Sequence, residues 1–299
     1  MKYVIAGASG FIGSALCARL KLSGHEVVAL SRRPDPLENV DRVRVWDGRT
    51  SGDWIEELET ADVLVNLCGR SIACKWTPEN RHEIIASRAE PTAILAEACR
   101  LVSVPPKAWI NSSGIGAYQL NLEEPLGEDG PLADGFMREI GDAWEGELFD
   151  GDLPGCRRIA LRTGVVLGHG GAYLVFEKLV KRFLGGSAGS GRQWMSWIHI
   201  EDLVSMVEWA SIAPVEGPLN AVSPNPVRNR EFMSVMRKVY GRPWSPPAPG
   251  FMIRLYGMLG GPDPSLVLDG NRVVPTKALA KGFEFRFPEL EGAVRDLAS

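Results

Sequence analysis

Gly7, Gly10 and Gly13 stand at the spacing G-x-x-G-x-x-G near the amino terminus, and the chemistry such bare backbone serves is the binding of a pyrophosphate. One glycine permits a tight turn, a second lets the chain approach the phosphates, and the third allows a helix to pack closely on a strand. The anion would rest on the positive end of a helix beginning near Phe11. A ligand-free turn would use the same glycines. Context separates the two: an apolar strand before, a helix after, and a second strand ending at the expected offset. No Gly-Lys-Ser/Thr follows, which excludes a phosphate loop of the Walker type.

That second strand ends in Ser31-Arg32-Arg33. A site preferring NAD(H) would place an Asp or Glu here for the ribose hydroxyls. A guanidinium is instead a planar cationic fork suited to a 2′-phosphate, and Ser31 adds a hydroxyl. The residues point to NADP(H); the alternative is two solvated arginines on a surface loop.

Farther along, Ser112 and Ser113 follow another apolar strand, where a hydroxyl could donate to a substrate carbonyl or only cap backbone. The glycine-rich residues 185–191, followed by Arg192, read either as an anion-binding loop or as a flexible lid. His199, between two isoleucines and ahead of Glu201 and Asp202, reads as a structural histidine rather than a base, and Asp202 as an N-terminal helix residue. Trp194 and Trp197 read as core or cleft wall, because no basic stripe accompanies them.

These groups need a scaffold, and the chain supplies a regular one. Apolar runs at residues 3–6, 26–30, 43–46, 63–67, 108–111 and 158–161 read as strands. Helical stretches at residues 14–22, 54–58, 81–101 and 141–149 lie between them. Strands alternating with helices predict an α/β fold with a Rossmann-type doubly wound parallel sheet. The later chain is less regular, with a Pro-rich stretch at 243–249. The expected division is a cofactor-binding Rossmann domain over residues 1–167 and a smaller C-terminal, mainly substrate-side domain over 168–299, with 198–220 returning to the Rossmann domain.

With 299 residues, 45% hydrophobic and 23% charged, the composition is that of an ordinary globular protein. The 33 Lys and Arg against 37 Asp and Glu give a net charge of −4, so no bulk basic field draws the chain to nucleic acid or an anionic membrane. The five cysteines (Cys17, Cys68, Cys74, Cys99 and Cys156) are odd in number and contain no Cys-x-x-Cys pair, which argues against a disulfide framework or a metal site and for a reducing, cytoplasmic setting. No apolar run has the length of a membrane span. Oligomeric state stays open.

The segment from Gly7 to Gly13 (Gly-Ala-Ser-Gly-Phe-Ile-Gly) resembles the fingerprint of extended short-chain dehydrogenases/reductases, which include NAD(P)-dependent epimerases and dehydratases. Asn66-Leu67-Cys68-Gly69 is similar to that superfamily's Asn-Asn-Ala-Gly motif, and Ser112-Ser113 to the position of its catalytic serine. Ser87-Arg88, the run from Arg162 to Leu167 (Arg-Thr-Gly-Val-Val-Leu), that from Gly189 to Gln193 (Gly-Ser-Gly-Arg-Gln), Trp197-Ile198-His199-Ile200 and Val222-Ser223-Pro224 resemble one atypical branch, the "epimerase family protein" group, over essentially the whole chain. By that resemblance Gly7, Ser9, Gly10, Phe11, Ile12 and Gly13 contact the pyrophosphate, Ser31 and Arg32 the 2′-phosphate, and Asp47 the adenine region. Leu67, Cys68 and Gly69 take the nicotinamide-side ribose, while Arg88, Gly164 and Val165 line the nicotinamide end.

Ordinary members of the superfamily use a Tyr-x-x-x-Lys pair, in which the lysine cation lowers the phenol pKa. This chain has none: Tyr3, Tyr118, Tyr173, Tyr240 and Tyr256 are followed four residues later by Gly7, Leu122, Glu177, Trp244 and Gly260. On the helix that should carry the pair stand Met137 and Gly141. Tyr118, with Arg138 as a nearby cation, is a candidate substitute acid or a residue that only packs its loop. Two functions follow: an NADP(H)-dependent oxidoreductase or epimerase-like enzyme on an unknown small polar substrate, with Ser112, Ser113 and Tyr118 as candidate catalytic groups, or a non-catalytic NADP(H)-binding redox sensor or regulatory module.

Overall fold

The computed structural model describes residues 1–120 and 123–299; Leu122, four positions after Tyr118, lies outside them. β1 (Lys2–Ala6) is buried along its whole length and pairs in parallel with β2 (Glu26–Ser31) after the crossover helix α1 (Phe11–Leu22). β3 (Arg42–Val45) adds beside β2, and a 3-10 turn at Asp53–Glu57 leads to β4 (Val63–Asn66) on the other side of β1. α2 (Pro78–Leu101) begins where the Thr77 hydroxyl accepts from the Asn80 amide, with proline at its first position, a favourable helix start. β5 (Ala108–Gly114), α3 (Phe136–Phe149) and β6 (Arg157–Thr163) continue outward.

The remaining elements are β7 (Val165–Leu167), α4 (Gly171–Lys181), β8 (Trp194–Met195), β9 (Trp197–His199), α5 (Ile200–Ile212), β10 (Gly217–Ala221), β11 (Val227–Arg228), α6 (Asn229–Val239), α7 (Gly250–Met258), α8 (Ser265–Leu268), α9 (Thr276–Ala280) and α10 (Leu290–Ala298). The seven-stranded sheet runs β10-β6-β5-β4-β1-β2-β3 with every pairing parallel. Strand order reverses direction between β1 and β4, the switch point at which open α/β sheets leave a crevice. β10 pairs with β6, so the segment just after α5 joins the sheet edge.

Both sheet faces are covered, which is why the strands read as unbroken apolar runs. Alternate residues divide between two cores: Tyr3, Ile5, Val65 and Ile110 pack with Leu16, Leu20, Leu203 and Val207 from α1 and α5, while Val4, Leu64, Trp109 and Ala160 pack with Leu95, Cys99 and Leu148 from α2 and α3. A third core, built on Tyr173, Trp197, Phe232, Met236 and Val294, supports the carboxyl-terminal elements. No helix among the described residues is long and apolar enough to cross a membrane.

Glu57 closes the amino-terminal end of the sheet: its carboxylate meets Lys2 Nζ at 2.7 Å, Arg44 Nε at 2.7 Å and Arg42 Nη2 at 3.2 Å. Burial alone would raise its pKa, but the hydrogen bonds from Lys2, Arg42 and Arg44 outweigh that and hold it at about 2. A carboxyl lowered in the folded state stabilises above its unfolded pKa and loses that contribution as pH falls. Glu57→Gln is expected to cost about 2 kcal/mol at neutral pH, by denaturant unfolding. The difference from wild type should shrink between about pH 4.5 and pH 2; a pH-independent difference would reject the assignment.

Candidate functional site

The glycine turn sits at the switch point. Gly7 has φ +84°, and a Cβ there would stand 3.0 Å from the Leu67 carbonyl carbon, so side chains are excluded by backbone geometry and by the neighbouring strand end. A Cβ on Gly13 would run into the Gly7 carbonyl oxygen, which fixes the close approach of α1 to β1. The Gly10 amide donates to Gly7 O at 3.1 Å, and Ser14 N to Gly10 O at 2.8 Å begins the helix. Gly10 caps α1 without a side chain, and no acidic residue occupies the first turn. The first-turn amides, at Phe11, Ile12 and Gly13, thus lack an intrahelical acceptor and present the positive end of the helix dipole, beside the exposed Ser9 and Gly10. The Phe11 ring lies where side chains on Gly168 and Gly170 would otherwise be, so the segment after β7 closes directly over the turn.

At the end of β2, Arg32 is exposed and has no carboxylate within ion-pair distance among the described residues. It lines a cavity of about 400 Å³ with Asp47, Thr50, Ser51, Trp46 and Trp54. The two tryptophans pack edge to face at 5.4 Å and are nearly buried. Ser31 is half-buried and its hydroxyl accepts from the Arg33 amide at 3.2 Å. Asp47 stands on the cavity wall, but its carboxylate accepts from Thr50 N, Arg49 N and the Thr50 hydroxyl, hydrogen bonds that hold it below the usual carboxylate range. Its oxygens therefore shape the 47–50 turn.

On the other side of the glycine turn, Leu67, Cys68 and Gly69 follow β4. Asn66 positions them: its Nδ2 donates to Asn111 Oδ1 (2.7 Å) and Thr92 Oγ1 (3.0 Å), while its Oδ1 accepts from the Cys68 amide (3.1 Å). Burial pushes the Cys68 thiol up to about 12, so it is no nucleophile near neutral pH. Arg88 lies against Gly69, with its guanidinium on the Ile84 and Arg70 carbonyls (2.9 Å each) and over the Trp144 ring at 4.8 Å. It has no carboxylate partner among the described residues, and burial lowers its pKa to about 10. Gly164 and Val165 are committed to backbone pairing with Ala221 and Ser196, and a Cβ on Gly164 would collide with the Ser196 carbonyl.

The candidate catalytic groups are sorted by their partners. Ser113 is buried and its hydroxyl donates to Glu145 Oε1 at 2.7 Å. Glu145 receives both Arg162 Nε and Nη2, each at 2.7 Å, and Arg162 Nη1 donates to the Tyr118 hydroxyl at 2.8 Å. Tyr118 is fully buried and donates to Asn220 Oδ1 at 2.8 Å. Its pKa is raised, by burial against the opposing pull of Arg162 and Asn220. This corrects the expectation of a loop phenol beside Arg138: the cation is Arg162, Arg138 instead pairs with Asp142 at 2.5 Å, and a sequestered hydroxyl with a raised pKa is a poor acid for a substrate. Likewise Ser113 is held by α3, whereas Ser112 is half-buried on the opposite strand face and carries no hydrogen bond from its hydroxyl among the described residues. On α3, Met137 covers Gly116 and Gly141 stands against the Ala117 methyl.

His199 caps α5, its Nδ1 accepting from Glu201 N at 3.2 Å, and burial lowers its pKa to about 4. Asp202 lies in the first turn of α5 and accepts from the Arg286 and Phe287 amides. The 185–191 loop is pinned, with Gly189 N on Ala248 O, Gly191 N on Ala188 O, and Gln193 Nε2 on the Ala188 and Val267 carbonyls. The amides of Ala188, Gly189 and Gly191 are thus spoken for. Sequence reasoning missed Trp46, Trp54 and the Glu145–Arg162 pair. A charged residue ending an apolar strand was the signal for Arg162, since such a cation needs a buried partner.

Residues 3–133 match the model of the NAD dependent epimerase/dehydratase family, and residues 248–297 match a domain of unknown function, DUF1731. The chain is 36% identical over 306 residues to epimerase family protein SDR39U1 of Bos taurus, covering 99% of each chain. It is 33% identical over 300 residues to epimerase family protein YfhF of Bacillus subtilis, covering 99% of this chain and 98% of that one. The crystal structure of human epimerase family protein SDR39U1 with NADPH superposes with a TM-score of 0.89 at 34% identity, covering 100% of this chain and 99% of that chain. A nucleoside-diphosphate sugar epimerase from Corynebacterium glutamicum superposes with a TM-score of 0.80 at 29% identity, covering 100% of this chain and 58% of that one.

Two substitutions test the geometry. Gly13→Ala forces a methyl group into the Gly7 carbonyl and is expected to cost about 2 kcal/mol or more in denaturant unfolding. Glu145→Gln leaves Arg162 buried without its counter-charge and should cost about 3 kcal/mol; a change under about 0.5 kcal/mol would show that the ion pair does not hold β5, β6 and α3 together.

Proposed function

As the chain belongs to the NAD-dependent epimerase/dehydratase family, among its epimerase family proteins, we propose that it binds NADP(H) along the carboxyl end of its sheet and acts as an oxidoreductase or epimerase-like enzyme on a small polar substrate. The observation that carries this reading is Arg32, an uncompensated guanidinium on the wall of the β2-side cavity, one strand from a helix start with open amides. A 2′-phosphate meets the first and a pyrophosphate the second. The human relative solved with NADPH supports the choice of cofactor. When bound, the nicotinamide supplies a hydride donor or acceptor.

The chain's own residues divide the remaining work. Gly7, Ser9, Gly10, Phe11, Ile12 and Gly13 cradle the phosphates, Ser31, Arg32 and the turn at Asp47 hold the adenosine end, and Leu67 to Gly69, Arg88, Gly164 and Val165 frame the nicotinamide end. Residues 1–167 form the cofactor half, and 168–299 mainly the substrate side, with 198–220 on the cofactor half. Of the three candidate catalytic residues, Ser112 is the one whose hydroxyl has no hydrogen bond among the described residues and can donate to a substrate oxygen. Ser113 and Tyr118 act through the Glu145–Arg162 pair, keeping the end of β5 in place.

A second reading is favoured by one observation. Met137 and Gly141 put a thioether and a bare backbone where the superfamily's phenol and amine would stand, so the same cofactor site serves equally in a non-catalytic redox sensor. Incubating the protein with the nicotinamide nucleotide and a panel of carbonyl compounds and sugar nucleotides separates the two: substrate-dependent loss of nicotinamide absorbance, or an inverted substrate centre seen by NMR with the nucleotide unchanged, supports the enzyme, and tight nucleotide binding with neither supports the sensor. For the cofactor, Arg32→Ala is expected to weaken NADPH by about ten- to a hundredfold in calorimetric titration and to leave NADH nearly unchanged. Equal weakening of both nucleotides would reject the 2′-phosphate assignment.

A further inference from the structure

Trp194, opening β8, carries two guanidinium groups over its ring: Arg228 Cζ at 3.8 Å and Arg272 Cζ at 4.5 Å from the centroid. Stacking fixes the guanidinium planes and leaves their edges as donors. Arg192 stands two residues before the indole, and its carbonyl accepts from Arg228 Nη1. One carboxylate faces the cluster, bonded to Arg228 alone and within the fields of Arg192 and Arg272. Glu123 pairs with Arg228 Nη2, and its backbone carbonyl accepts from Arg272 Nη1 at 2.6 Å. Among the described residues no other carboxylate lies within ion-pair distance of these arginines, which leaves two positive charges uncompensated. Glu123 is itself 72% exposed, a counter-ion that water competes with, while Arg228 is 21% exposed. Arg272 Nε and Trp194 Nε1 are buried without an acceptor among the described residues.

The backbone that carries the cluster is tied to the strand ends of the sheet. Asn271, next to Arg272, donates its Nδ2 to the Ile115 carbonyl at 2.6 Å, three residues beyond Ser112. The Ser196 hydroxyl, two residues after Trp194, donates to Asn271 O at 2.9 Å and accepts from Val273 N at 2.9 Å, and the Ser196 carbonyl accepts from Val165 N at 2.9 Å. The arginines therefore stand on the same framework as the end of β5 and the start of β7.

We propose that Arg192, Arg228 and Arg272 around Trp194 form a phosphate subsite, and that the substrate is a phosphate monoester whose dianion displaces the Glu123 carboxylate from Arg228. A dianion matches the two uncompensated charges, and its three outer oxygens accept from two or three guanidinium edges at once. The subsite deepens the substrate side of the proposed function and is independent of the cofactor assignment.

The test is calorimetric titration of the NADPH-saturated protein with inorganic phosphate and with glycerol 2-phosphate, so that the nucleotide site is already filled. Both are expected to bind. Arg228→Gln and Arg272→Gln should each weaken them by about tenfold or more, and Glu123→Gln should strengthen them by several-fold. NADPH affinity should be the same in every variant, which also establishes that each is folded. No phosphate binding to wild type, wild-type affinity in both arginine variants, weaker binding in Glu123→Gln, or binding of phosphate without the monoester overturns the proposal. If NADPH itself fails to bind, the cofactor reading falls separately, and the same phosphate comparison on the nucleotide-free protein with Arg32→Ala decides the subsite.

Discussion

The contact on which the rest of the molecule is arranged is the approach of α1 to β1 and β4 across Gly7 and Gly13. Gly7 takes a left-handed conformation against the Leu67 carbonyl, and Gly13 lets the helix start settle onto the turn it leaves. A side chain at either position would push the helix off the sheet. Because the approach is close, the amides of the first turn of α1 end up beside the end of β4 and beneath the segment after β7, which meets Phe11. The switch point of the sheet, the positive helix end and the two flanking strand ends therefore share one crevice.

A second constraint governs the neighbouring strand ends. On α3, Met137 and Gly141 meet the 116–117 turn, and the polar capacity of the region is concentrated in Ser113, Glu145, Arg162 and Tyr118. A bidentate arginine–carboxylate pair in a dry environment demands that every remaining donor find an acceptor, which draws in the serine and tyrosine hydroxyls. The result is a rigid polar staple joining β5, β6 and α3. Ser113 and Tyr118 are thereby committed to this staple, while the Ser112 hydroxyl on the opposite strand face carries no hydrogen bond among the described residues.

The carboxyl-terminal elements are joined by a different device. β8, β11 and the chain around Asn271 to Val273 are short, and hydrogen bonds from Ser196 and Asn271 do the joining that a broad apolar face does elsewhere. Polar joints of this kind satisfy their backbone groups locally.

Strand and helix order, the parallel sheet and the glycine turn were legible in the sequence, because buried parallel strands leave continuous apolar runs and a tight βα turn leaves glycines that no other residue replaces. So was the cationic character after β2, since it needs only one residue type at one offset. Helix starts were less so: α2 begins at Pro78, ahead of its first strongly periodic residues, because Thr77 caps it. What the sequence by itself could not decide is which hydroxyl is free. Ser112 and Ser113 are adjacent and identical in type, and only the packing of α3 against β5 and β6 assigns one to Glu145 and leaves the other open. Tyr118 acquires Arg162 and Asn220 as partners from positions 44 and 102 residues away. Local pattern records the backbone's period; the pairing of buried polar groups is set by long-range contacts, and those exist only once the chain has folded.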